Sequence, residues 1–117
     1  MENIDMKLLR IAFCAVFLLL SGAAHADMWY EGGTLQKATV ADWTAATPEN
    51  QLATSADFIA SLNSVPDISK ASPGEQENIR KLATDLRNCV DETATHPDTP
   101  RDKAVAELVV LCTVMKK

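Results

Sequence analysis

Residues 72–90 read SPGEQENIRKLATDLRNCV, and this stretch decides the fold. Ser72 is a good N-cap, Pro73 suits the first helical position, and Glu75 stands three residues after the cap. Ile79, Leu82, Ala83, Leu86, Cys89 and Val90 then recur at spacings of three and four, which places them on one side of a helix. Arg80, Lys81, Asp85 and Arg87 fall on the other side. A helix with a single apolar stripe needs neighbours that cover it, so the flanking segments are expected to be its partners.

Downstream, Thr95-His96-Pro97-Asp98-Thr99-Pro100 is turn chemistry. Thr99-Pro100-Arg101-Asp102 repeats the cap pattern with Asp at its third position and predicts the start of a last helix. Its core side is expected to hold Ala104, Leu108, Leu111, Cys112 and Met115, and Lys116-Lys117 suit the negative end of the helix dipole. Upstream, Thr39 with Asp42 predicts a short helix over residues 40–46, and Thr47-Pro48 restarts the chain. Leu52, Ala56, Ile59 and Asn63 then form one helical side, which Ser64-Val65-Pro66-Asp67 ends. Residues 27–38 carry Gly32-Gly33 and no helical period, so they read as an extended arm anchored by Trp29 and Tyr30, or alternatively as an aromatic patch for a partner. The expectation is an all-α domain, a small bundle of about four helices.

The N-terminus reads as an export signal. Lys7 and Arg10 precede the apolar run of residues 11–20, and Ala24-His25-Ala26 is a cleavage site of the A-x-A type. A spanning helix needs about 20 apolar residues, so the run is short for a membrane anchor. Translation starts at Met1 or Met6; Glu2 and Asp5 blunt the basic region in the longer form. Residues 27–117 would form a single domain of 91 residues that keeps the net charge of −5, since the signal removes two acids and two bases. A periplasmic or secreted location is implied. An acidic domain with no basic cluster is a poor match to nucleic acid or an anionic membrane.

Three cysteines are present; Cys14 lies in the signal, which leaves Cys89 and Cys112. In an oxidising compartment they suit a disulfide worth about 3 kcal/mol by loop closure, or else two buried thiols. Cys89 lies about one and a half turns before the connecting loop and Cys112 about three turns after it, so a flush hairpin offsets the two by roughly 10 Å along the helix axes. A bridge would then require a folded-back loop or steeply crossed helices.

No catalytic constellation is visible. His96 is the one histidine after the signal and sits in a turn. Asp91, Glu92, Asp98 and Asp102 read as a solvated acidic end, without the glycine and ordered ligand spacing of a calcium loop. Gly32-Gly33 lacks the context of a phosphate loop. Neither a metal nor a cofactor is expected. Trp43, Leu52, Ile59, Leu86, Leu108 and Leu111 are the candidate core or apolar binding residues.

Asp42-Trp43-Thr44-Ala45 and Ala56-Asp57-Phe58-Ile59-Ala60-Ser61-Leu62 resemble the start of the small periplasmic acid-stress chaperones of the HdeA type. Residues 79–89, followed by Asp102-Lys103-Ala104-Val105, resemble that family's later cysteine-bearing helix and its charged final helix. Ala45 stands where the family has its first cysteine. The resemblance implies a non-enzymatic holdase, of a kind often dimeric at neutral pH, that opens in acid and holds unfolding clients. Its 14 carboxylates would neutralise near pH 4 and leave nine Lys and Arg to repel. The alternative expectation is a specific inhibitor or immunity protein for an envelope enzyme.

Intact-mass measurement of the exported protein is expected to show residues 1–26 removed and Asp27 at the N-terminus. An uncleaved chain in the membrane would contradict the cleavage site.

Overall fold

The computed structural model describes residues 28–115, so the export signal expected over residues 1–26 lies outside them. These residues form four α-helices: α1 (Val40–Ala45), α2 (Pro48–Leu62), α3 (Pro73–Ala94) and α4 (Val105–Met115), with a 3-10 turn at Ile68–Lys70. The all-α class holds, and the longest helix is the one read from residues 72–90. The other three helices all pack against α3.

The starts of α1, α2 and α3 follow from their caps. Thr39 and Asp42 form a reciprocal capping box, in which each side chain accepts the other's backbone N–H. Thr47 accepts the N–H of Asn50 at 3.1 Å, and Pro48 takes the first turn of α2. Ser72 accepts the N–H of Glu75 at 3.2 Å ahead of Pro73. On α3, Ile79, Ala83, Leu86, Val90 and Ala94 are buried, while Leu82 and Cys89 lie half-buried along the flank.

The last helix departs from expectation at its start. Residues 99–103 are a turn and α4 begins at Val105. Pairing with the segment before α1 overrides the Thr99-Pro100 cap pattern. The N–H groups of Val40 and Ala41 donate to the carbonyls of Lys103 and Arg101, and that of Val105 donates to Ala38. Thr39 and Ala104 meet as an isolated antiparallel bridge. These backbone bonds satisfy groups that a longer α4 would have used internally.

The later start also resolves the cysteine geometry. Cys89 lies five residues before the end of α3 and Cys112 seven residues after the start of α4, so their offset falls to about 3 Å. The two form a disulfide with Cα atoms 6.0 Å apart. The phase of α4 changes as well. Its buried side is Val105, Leu108, Val109 and Cys112, whereas Ala104, Leu111 and Met115 face outward, with Met115 79 % exposed.

Helix α2 is covered on two sides, by α3 and by the arm, which explains a second departure. Leu52 is only half-buried and Asn63 is exposed, while Gln51, Thr54 and Ser55 are buried. Gln51 donates to the Trp43 carbonyl at 2.7 Å and accepts from the Arg87 guanidinium at 2.8 and 3.1 Å. Ser55 returns its hydroxyl proton to the Gln51 carbonyl, and Thr54 Oγ1 accepts the N–H of Leu35. Every buried side-chain nitrogen and oxygen among the described residues has a partner.

The arm is seated by Leu35, which is buried, and by close backbone approach at Gly33. A Cβ there would stand 2.6 Å from the Thr54 nitrogen, so only glycine fits without displacing the arm. Trp29 and Tyr30 meet edge to face at 5.3 Å, and the Arg80 guanidinium lies 5.6 Å from the Trp29 ring centre.

Leu86 is 5 % exposed and closes the middle of the α3 stripe. Leu86→Ala is expected to cost about 2–5 kcal/mol, which a urea-unfolding midpoint would register as a clear fall. An unchanged midpoint would mean that this side of α3 is not the core.

Candidate binding surface

Helix α4 is apolar on both sides. Its inner side closes the core, and its outer side presents Val110, Leu111, Val114 and Met115. Residues at spacings of three, four and five form one continuous face. Val114 is 65 % exposed and Leu111 46 %, and Leu62 at the end of α2 is also outside. The Cys89–Cys112 bond ties the middle of this helix to α3, so the face is present in the folded chain.

Beside the face lies an apolar cleft of about 370 Å³. Leu82, Leu86 and Cys89 of α3 line it together with Ile59 and Asn63 at the end of α2 and Cys112 and Thr113 of α4. It exists because α2 and α4 both pack on α3. Thr113 borders the cleft and lies about 60° around the helix from Val110, so the cleft opens on the Val110 flank of the outer face, away from Leu111 and Met115.

The sequence-derived candidates divide between these places. Ile59 and Leu86 are buried and line the cleft, and Leu108 is buried in the core. Leu52 is half-buried against the core. Leu111 lies on the outer face, a correction to its expected burial. Trp43 is fully buried and donates its indole N–H to the Asp91 carboxylate at 3.2 Å, which makes it a fixed part of the core. Val110 and Val114 were not singled out from the sequence. The available signal was that residues 105–115 carry more apolar side chains than one packed side of a short helix can bury.

His96 Nδ1 accepts the N–H of Asp98 at 3.2 Å, and both cysteines among the described residues are in the disulfide. No three His, Cys, Asp or Glu side chains converge as metal ligands among the described residues. No helix among them is long and apolar enough to cross a membrane. A second hollow, of about 270 Å³, is polar and is bordered by Tyr30, Asp57, Ser61 and Asp67.

No protein-family model, curated protein or solved structure matches this chain.

Two carboxylates are displaced from their ordinary behaviour. Burial raises Asp57, opposed by the hydrogen bond that it accepts from the Gln36 amide. Asp67 is lowered by hydrogen bonds from the Ser69 hydroxyl and backbone. For Asp57 the folded chain holds the proton more tightly than the unfolded chain. Its contribution to stability is therefore full below the ordinary value of 3.8 and is lost as pH rises through the higher folded value. Asp57→Asn keeps an oxygen to accept from Gln36 and removes the charge. The variant is expected to unfold at a higher urea concentration than the parent at pH 7, with the gap closing as pH falls below about 4. A lower midpoint at pH 7 would contradict this sign.

Proposed function

We propose that this chain is a small, exported, non-enzymatic protein-binding module whose working surface is the outer side of α4 with its adjoining cleft. The observation that carries the reading is the exposure of Val110, Leu111, Val114 and Met115 on a helix clamped by a disulfide. Scattered exposed apolar residues need no explanation, but a continuous apolar face beside an apolar cleft fits an interaction site. The sequence supports the export part: a basic, apolar and small-residue signal, and two remaining cysteines that suit an oxidising compartment.

Two kinds of binding were expected, an acid-opened holdase and a specific binder such as an inhibitor or immunity protein. The second agrees better with the surface. A holdase of the HdeA type would expose its apolar faces on acidification. Here the α4 face is outside without any protonation. A specific binder needs a preformed patch, and a disulfide that holds the helix lowers the entropic cost of using it.

Affinity capture from an envelope extract at pH 7 and pH 3 tests the reading, with the mature protein and a Leu111→Ser/Val114→Ser variant as baits. One stoichiometric partner at pH 7, lost with the variant, is the expected outcome. Many clients retained only at pH 3 would replace it with the holdase reading.

A further inference from the structure

We propose that the Cys89–Cys112 bond is a redox latch: a dithiol that enters the apolar cleft reduces it, and the second half of α4 is released while α1, α2 and α3 stay folded. The latch regulates the surface assigned above and rests on that reading only for its effect on binding.

The bond holds one half of one helix. The buried side chains of α4 are Val105, Leu108, Val109 and Cys112. Three of these lie in its first half, which is also tied by the Val105 N–H to the Ala38 carbonyl at 2.9 Å. From Val110 to Met115, Cys112 alone is buried; Thr113 is half-buried, and Val110, Leu111, Val114 and Met115 are exposed. The Thr113 hydroxyl bonds the Val110 carbonyl, which belongs to the same helix.

Local preference opposes a helix in that half. Residues 109–114 read VVLCTV. Val and Thr branch at Cβ and lose side-chain freedom in a helix, and cysteine ranks with them. A free helix of 11 residues is marginal in water even for good helix formers. Residues 110–115 are therefore helical because Cys112 is fixed to α3. The core does not share this dependence. Arg87, Gln51, Trp43 and Asp91 link α1, α2 and α3 by hydrogen bonds that do not involve the disulfide.

The cleft gives access to the sulfurs. Both cysteines line it, with Cys89 half-buried and Cys112 only 3 % exposed. Cys89 Sγ is thus the sulfur that an entering thiolate reaches. Attack there joins the reductant's sulfur to Cys89, breaks the Cys89–Cys112 bond and expels Cys112 as a thiolate, which takes a proton from water. The second thiolate of the same reductant then displaces Cys89. The reductant departs as a disulfide, having given up two electrons, and both cysteines end as thiols.

The test uses the mature, disulfide-bonded chain with dithiothreitol at about pH 8, near the ordinary thiol pKa. Alkylation and mass measurement are expected to find both cysteines reduced without denaturant. The rate is expected to stay flat as urea is added below the unfolding transition. Amide exchange is then expected to lose at least about tenfold protection at residues 110–115 and to keep it at residues 79–90 of α3. Oxidised glutathione is expected to restore the protection. Val110→Ala/Val114→Ala puts the best helix former at two exposed positions and is expected to recover part of the loss in the reduced chain. Reduction only on unfolding, equal loss of protection in all helices, or unchanged protection at residues 110–115 overturns the proposal. Capture from envelope extract with both redox forms separates the two readings. A partner held by the oxidised chain and lost from the reduced chain supports both. A partner held by the oxidised chain whose residues 110–115 are not released on reduction leaves the protein-binding reading standing and overturns the latch. Release of residues 110–115 with no partner held by the oxidised chain supports the latch and overturns the protein-binding reading.

Discussion

Everything in this fold is measured against one helix. A chain this small can close a core only if its longest apolar stripe is fully used, and α3 supplies that stripe. Helices α1, α2 and α4 each contact α3. A polar clamp fixes how α1 and α2 sit on it. Arg87 of α3 reaches Gln51 of α2, Gln51 reaches the Trp43 carbonyl of α1, and the Trp43 indole returns to Asp91 of α3. The clamp orients the largest fully buried side chain among the described residues at the junction of three helices. Removing the Asp91 carboxylate would leave the indole N–H of the buried Trp43 without its acceptor, which costs more than a typical hydrogen bond contributes.

Much of this architecture was legible because it rests on local rules. Ser72-Pro73, Thr47-Pro48 and Thr39 with Asp42 all start helices where their spacing places them, because a cap acts within three residues of itself. The rest was hidden where a distant segment overrides a local preference. Thr99-Pro100-Arg101-Asp102 has the composition of a cap, yet residues 38–41 claim its backbone from some sixty residues away. Gln51 and Ser55 look like surface residues and are core residues, because their partners come from α1 and α3. Leu111 and Val114 carry little period of their own, since Glu107 is the one charged residue that marks the outer side of an otherwise apolar helix.

The candidate site was legible in part for the same reason. Leu86 and Ile59 belong to readable stripes and do line the cleft, but the cleft itself depends on how two helices diverge over a third. That geometry is set by the clamp on one side and the disulfide on the other. The disulfide was readable as a pair of cysteines, and its feasibility was not, because the offset between them depends on where α4 begins.

The pairing of residues 38–41 with residues 101–105 has a kinetic consequence. It joins the first helix to the last, so the seating of both includes contacts of very large sequence separation. Loop closure over such a span is slow compared with helix formation. A ribosome-bound or partly threaded chain that still lacks α4 holds α3 with its stripe uncovered along one flank. A chain without α4 loses this backbone pairing and the cover over one flank of α3 together.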